Sequence, residues 1–140
     1  MTRTTQLTVP APQFPPVRKR ATGKLQEVKP WLNSNLRLHR QQEAKLTAAW
    51  RTATALRLTE SGWDLTPYDK PVRVTAHVWK PRGGRYDPGN LYPTAKACLD
   101  GIVDAGLLTD DDWKHVIGPD MRHGGKGPEA LVIPITQETQ

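Results

Sequence analysis

The sequence has little cysteine and no long apolar run, and each of these shortages excludes a class of protein. One cysteine among 140 residues excludes an intramolecular disulfide framework. The longest apolar runs are short, such as Ala130–Ile133, and the first ten residues lack the apolar stretch of a secretory signal. We therefore expect a soluble, cytoplasmic protein.

Two common kinds of binding motif are also missing. The four histidines and Cys98 have no zinc-ligand spacing, and the glycines form neither a P-loop nor a dinucleotide-binding fingerprint. Cys98 falls on the apolar stripe of a predicted helix, together with Ala95, Leu99 and Ile102. That position favours a packed core thiol over a nucleophile.

The positive charge is concentrated at the front of the chain. The formal net charge is +6, yet residues 1–40 contain eight Lys or Arg and one acid, whereas residues 81–140 contain six basic and nine acidic residues. A basic front and an acid-rich back are compatible with a surface for a polyanion and another for a cation. An ordinary solubilising surface is the alternative interpretation.

The patterns along the chain predict an α+β domain over residues 24–140, after a flexible, basic, proline-rich arm over residues 1–23. Periodicity predicts helices over 38–58, with Leu56 on the core stripe, and from 93 or 94 to 105. Strands are predicted over 24–28, 72–79, 115–117 and 130–133, and a glycine-rich connection over 118–127 joins the last two. The result is a small mixed β-sheet packed against two main helices.

Aspartates before and after the second predicted helix are the candidates for chemistry. Asp87 precedes the helix, and Asp110, Asp111 and Asp112 follow it; such oxygen ligands suit Mg²⁺ or Mn²⁺. Alternatively, Asp87 begins a β-turn and the later run begins a short helical turn. A thirteen-residue helix is about 20 Å long, so Asp87 and Asp111 would lie at opposite ends of it unless the chain turns back. The six residues 106–111 span at most about 20 Å when extended, so the return is possible but nearly taut.

Three stretches of this region carry a family resemblance. Residues 85–91 read Arg-Tyr-Asp-Pro-Gly-Asn-Leu, residues 96–101 read Lys-Ala-Cys-Leu-Asp-Gly, and residues 104–111 read Asp-Ala-Gly-Leu-Leu-Thr-Asp-Asp. Together with the Pro- and Asn-containing segment 30–39, they resemble the RusA family of Holliday junction resolvases, especially its bacteriophage members. The resemblance covers about residues 24–134.

The resemblance implies a homodimeric, Mg²⁺-dependent endonuclease that cuts four-way DNA junctions in recombination, repair or phage DNA processing, inside a bacterial cell or a phage-infected host. It implies Asp87, Lys96 and Asp111 as catalytic residues. Asp87 and Asp111 are expected to hold the metal, and we expect Asp110 or Asp112 to assist as a further ligand. Mn²⁺ is expected to substitute for Mg²⁺. The residues expected to contact DNA are Arg18, Lys19, Arg20, Arg37, Arg82, Arg85, Asn90 and Lys114.

The chain departs from the family pattern at two places. Gly89 stands where the family has its second aspartate, and three extra residues separate Asn90 from Lys96. Asp100, Asp110, Asp112 or a water molecule could supply the missing oxygen. The open alternatives are a protein that binds branched DNA without cutting it, and a DNA-associated interaction protein whose acidic run only caps a helix.

Overall fold

A four-stranded mixed sheet and two α-helices form the body of the protein. The computed structural model describes residues 2–36, 38–60 and 62–138. The elements in chain order are β1 (Thr4–Pro10), β2 (Val17–Arg18), β3 (Leu25–Gln26), α1 (Arg40–Glu60), β4 (Val72–Lys80), a 3₁₀ turn (Pro88–Leu91), α2 (Tyr92–Asp104), β5 (Val116–Lys126) and β6 (Ala130–Gln137). This arrangement confirms the predicted α+β class with a mixed sheet and two helices.

The strands lie in the order β1-β6-β4-β5. β6 runs antiparallel to both of its neighbours, while β4 and β5 are parallel. A parallel pair needs a crossover connection, and the segment containing α2 supplies it. Buried and more exposed side chains alternate along β1, β4 and β6, so one face of the sheet carries the core.

The prediction of a flexible arm over residues 1–23 is wrong for its first part. β1 pairs with β6 along its whole length, from Thr4 opposite Thr136 to Pro10 opposite Ala130. Leu7 and Val9 are fully buried. The period-two pattern Thr-Gln-Leu-Thr-Val is typical of an edge strand with one apolar face. The prolines that follow it favoured the prediction of an arm instead.

The end of the predicted arm forms a small exposed hairpin with the residues that follow it, whereas Ala11 and Phe14 pack against the core. β2 pairs with β3, and both strands are exposed. The strand predicted over 24–28 is therefore shortened to Leu25–Gln26, and Pro30 prevents its extension.

The predicted glycine-rich connection 118–127 is mostly strand. β5 continues to Lys126, and the turn to β6 is confined to residues 127–129. The indole of Trp79 lies against this backbone, so a Cβ at Gly124 would sit 2.5 Å from its Nε1 atom. The glycines therefore make room for a large ring on the neighbouring strand rather than breaking the strand.

Both predicted helices are present, with shifted ends. On α1 the buried stripe follows steps of four, Leu46, Trp50, Thr54 and Leu58, so Leu56 is exposed and its predicted core position is wrong. The two helices pack closely at Gly101, where a Cβ would lie 2.4 Å from the carbonyl oxygen of Arg51.

The second helix confirms the predicted core thiol. Cys98 is fully buried, and burial raises the pKa of its thiol to about 12. Gly106 follows the C-cap residue Ala105 and has a positive φ of 89°, a conformation that favours glycine directly after a helix. Among the described residues, neither helix combines the length and apolarity needed to cross a membrane.

Candidate functional site

The segment before α1 holds the start of α2 in place. The Leu32 amide donates to Thr94 Oγ1 at 2.9 Å, and that hydroxyl donates to the Leu32 carbonyl at 2.8 Å. The Ser34 amide donates to the carbonyl of Asn90 at 2.8 Å. Trp31 and Leu32 are buried beside these contacts. The first turn of α2, directly before Lys96, is therefore anchored by side-chain packing and hydrogen bonds.

Asp87 caps the 3₁₀ turn that leads into α2. Its Oδ1 accepts a hydrogen bond from the Gly89 amide at 2.9 Å, and its carbonyl accepts one from the Asn90 amide at 3.0 Å. The side chain is exposed. These contacts confirm the local turn interpretation of the Asp-Pro-Gly-Asn sequence. They leave Asp87 at the surface just before the helix that carries Lys96.

The return of the chain along α2 brings Asp111 to Lys96. Leu107 and Leu108 are buried after the helix end, and the Leu107 carbonyl accepts a hydrogen bond from the Tyr68 amide at 3.0 Å. The segment is thereby held against the core instead of continuing away from the helix. Asp111 consequently forms an ion pair with Lys96, near the other end of α2.

Lys96 contacts a second carboxylate from its own helix. Its ammonium lies 3.5 Å from Asp100 Oδ1, one turn further along α2, in addition to the ion pair with Asp111. The Asp111 side chain is 24% exposed and that of Lys96 is 42% exposed, so solvent reaches the cluster. One positive and two negative side chains are thus gathered at an accessible part of the surface.

Contacts within this cluster stabilise the charged forms of Lys96 and Asp111. The hydrogen bond from Lys96 holds the pKa of the Asp111 carboxyl below its usual range, and contacts with Asp100 and Asp110 act in the same direction. Burial lowers the pKa of Lys96, but the hydrogen bond to Asp111 and the charges of both aspartates outweigh burial and raise it overall. Lys96 is therefore cationic and Asp111 anionic at neutral pH.

The acidic run folds into a tight turn that adds a histidine to the site. Asp110 Oδ1 accepts a hydrogen bond from the Asp111 amide at 2.7 Å, and Asp112 contacts the imidazole of His115. Ligand atoms of Asp110, Asp112 and His115 all lie within 4.8 Å of one another. Zinc-ligand spacing did not identify His115 as a site residue. Its position three residues after Asp112 could have predicted this contact.

The donor set of this group fits a divalent cation. Carboxylate oxygens from Asp110 and Asp112 suit Mg²⁺ and Mn²⁺, while the imidazole nitrogen of His115 suits Mn²⁺ better than Mg²⁺. The contact with His115 holds the pKa of Asp112 below its usual range, so this carboxyl is anionic at neutral pH. Among residues 2–36, 38–60 and 62–138, the groups of three such ligands do not include Asp87 or Asp111.

The basic residues expected to contact DNA lie on separate exposed segments. Arg18, Lys19 and Arg20 belong to the small hairpin, where Arg18 donates to the Gly23 carbonyl at 2.7 Å. Arg82 and Arg85 are exposed in the loop after β4, and Lys114 is exposed in the acidic turn. Asn90 is half-buried and contacts the protein through its backbone. Arg37 lies outside the described residues.

A basic and aromatic cluster next to Asp87 was not predicted. The Lys80 ammonium lies 4.4 Å from the ring centre of Tyr86 and 5.7 Å from that of Trp31. Tyr86 also forms a hydrogen bond with His123 of β5. Burial lowers the pKa of Lys80. Lys80 ends the best predicted strand, but the sequence contained no signal that rings from two other segments would surround it.

Comparison with known proteins does not add a family assignment. No protein-family model matches the chain, and no curated protein matches it.

Proposed function

We propose that the protein is a Mg²⁺-dependent, structure-selective DNA endonuclease that resolves four-way junctions. The observation that carries the proposal is the contact between Lys96 and Asp111, two residues that the RusA-like motifs mark as catalytic. They lie on separate segments and meet only because the chain folds back along α2. The metal-ligand group of Asp110, Asp112 and His115 lies in the same turn, on both sides of Asp111 in the sequence.

The side chains have separate roles in the proposed reaction. Asp110, Asp112 and His115 would hold the cation, and Asp87 is kept as a further candidate ligand on the motif resemblance alone. The cation supplies charge stabilisation at the phosphate and lowers the pKa of water. Lys96 orients or neutralises the scissile phosphate, and Asp111 fixes the position of the Lys96 ammonium until substrate arrives. Hydrolysis would leave 5′-phosphate and 3′-hydroxyl ends, which a ligase can rejoin.

The distribution of charge supports a DNA substrate. Basic side chains are exposed on the hairpin, on the loop after β4 and at Lys114, whereas acids are concentrated at the proposed cation site. Contacts of this kind position the duplex arms through phosphates and carry little sequence information. A four-way junction is cut on two opposing strands, so we propose a homodimer with two symmetric sites.

A second candidate is a protein that binds branched DNA without cutting it. Gly89 removes one carboxylate of the family pattern, and the Asp87 carboxylate is engaged in capping the 3₁₀ turn. Fewer ligands weaken the hold on a cation. This candidate retains the basic surfaces and the fold but has no hydrolytic step.

The deciding experiment incubates the purified protein with a labelled four-way junction and with a linear duplex of the same length. Each substrate is tested with Mg²⁺, with Mn²⁺ and with a chelator. We expect paired nicks near the branch point of the junction, present with either metal and absent with the chelator. Junction binding without nicks at any metal concentration would contradict the nuclease and favour the second candidate.

A further inference from the structure

The tryptophan in the acidic turn is the most exposed large apolar side chain that the structure describes. Trp113 is 82% exposed, whereas the next, Leu25, is 61% exposed. The other four tryptophans, Trp31, Trp50, Trp63 and Trp79, are buried or half-buried. Trp113 therefore presents a large aromatic face to solvent beside a candidate active site, and a ligand with a flat aromatic ring can stack on such a face.

The turn that carries Trp113 is held on both sides. On the preceding side, Asp111 is paired with Lys96. On the following side, the amides of His115 and Val116 both donate to the Asp112 carbonyl at 3.0 Å. The backbone of the turn is therefore positioned before any ligand arrives, which reduces the entropy lost on binding.

The charges around the indole suit a nucleotide. The Lys114 ammonium lies 5.7 Å from the centre of the Trp113 ring. On the preceding side, the charge of Asp111 is offset by its ion pair with Lys96. The divalent cation proposed for Asp110 and Asp112 would offset their charges. A base can stack on the indole while the ammonium contacts a phosphate of the same strand.

We propose that Trp113 stacks on an unpaired or splayed nucleobase at the branch point, beside the phosphate that is cut. This inference rests on the proposed function. Trp113 follows Asp111 by two residues, so their Cα atoms are at most about 7 Å apart, and the proposal places the stacked base in the neighbourhood of the Lys96–Asp111 pair. Stacking tolerates any base, so Trp113 recognises the branched structure of the DNA rather than its sequence.

The test compares W113A and W113F with the wild-type protein. Affinities are measured in calcium buffer for a four-way junction, for the same junction with 2-aminopurine at the branch point, and for a linear duplex. Because base–aromatic stacking contributes about 1–3 kcal/mol per base, we expect W113A to bind the junction about 5- to 150-fold more weakly. W113F should lose much less. Duplex affinity should change little.

The 2-aminopurine signal reports stacking directly. We expect the wild-type protein to change the fluorescence of the branch-point base and W113A to leave it nearly unchanged. L56A is the matched control, because it removes an apolar side chain that is 49% exposed and belongs to α1 rather than to the turn. It should bind like the wild-type protein.

Three results would overturn the inference. One is equal junction affinity for W113A and the wild-type protein. Another is an equal loss on junction and duplex. The third is a change in the sedimentation of W113A without DNA, which would place a second copy of the chain on the indole instead of a base. If the wild-type protein binds none of the DNAs, the proposed function itself has failed, which is a distinct outcome.

Discussion

The ammonium of Lys96 is paired with the carboxylate of Asp111, fifteen residues further along the chain. The pair joins the front half of α2 to the acidic turn that follows the helix. A nearby carboxylate, Asp100, lies 3.5 Å from the same ammonium. The contact between these two segments therefore places the Lys96 ammonium beside two carboxylates at the surface of the protein.

Replacing Asp111 by asparagine should abolish junction cleavage and preserve junction binding. Asparagine keeps the shape of the side chain but removes the charge that positions Lys96, and it also reduces repulsion of the DNA phosphates. A gel assay measures cleavage and binding on the same junction. We expect cleavage to fall by at least about 100-fold, as is usual when a group that positions or stabilises transition-state charge is lost.

The matched control for this substitution is D104N. Asp104 is also an ion-paired aspartate, with Arg51, but it lies at the end of α2 away from the acidic turn. Cleavage by D104N should remain near the wild-type rate. Full activity of D111N, or equal loss in both variants, would mean that the site is wrongly assigned.

Replacing Gly89 by aspartate should strengthen metal binding. A Cβ at position 89 would begin 3.2 Å from Asp87 Oδ1, so the new carboxylate would stand beside Asp87. Two adjacent carboxylates repel each other, and a divalent cation relieves that repulsion. Calorimetry with Mn²⁺ should give a tighter dissociation constant, and cleavage should need less metal.

G89N separates charge from shape in this experiment. It places a neutral side chain of the same size at position 89, so it should not gain metal affinity. Equal behaviour of G89D and G89N would contradict a cation site that involves Asp87.

The Lys96–Asp111 pair should make stability depend on pH at the acidic end. The folded pKa of Asp111 is lowered by Lys96, so the pair stabilises the fold above the unfolded value of about 3.9 and loses this contribution as the pH falls through the folded pKa. The pKa of Lys96 is raised, so the contribution is also lost at alkaline pH, above about 10.4.

Urea unfolding of the wild-type protein and of K96M checks this window. The difference in the free energy of unfolding between the two should be constant between about pH 5 and pH 9. It should shrink as the pH falls from about 4 towards 2. A difference that stays constant throughout the acidic range would show that the pair does not contribute to stability.

Truncating a side chain of β1 should destabilise the protein, although the composition of this region predicts a flexible arm. Leu7 is fully buried, so Leu7→Ala should lower the free energy of unfolding by about 2–5 kcal/mol. Leu25→Ala is the control, because Leu25 is 61% exposed on the small hairpin and should change stability by less than about 0.5 kcal/mol. Similar small effects of both substitutions would contradict a packed β1.

Local patterns predicted the secondary structure well where one face is clearly apolar. The alternation of Val72–Lys80 and the helical spacing in α1 and α2 predict these elements because each must bury one face. The prediction was wrong at β1 and in the glycine-rich part of β5. In both places the decisive partner, β6 for β1 and Trp79 for the glycines, lies elsewhere in the chain.

The candidate site could be predicted in part. The aspartates and Lys96 are recognisable from residue type and order, and the turn formed by Asp87 follows from local chemistry. The contacts of Asp100 with Lys96, four residues earlier, and of His115 with Asp112, three residues earlier, also follow from local spacing. Which carboxylate reaches Lys96 depends on how far the chain folds back along α2, and buried contacts of Leu107 and Leu108 set that distance.

By itself, then, the sequence determined the helices, the central strand, the buried thiol and the residue types available for chemistry, because these follow from periodicity and short-range sterics. Tertiary structure alone decided that β1 completes the sheet, that Asp111 meets Lys96, and that Trp113 projects into solvent from a turn held on both sides. These features depend on packing between segments that are far apart in the chain, and the local sequence does not specify which distant segments come into contact.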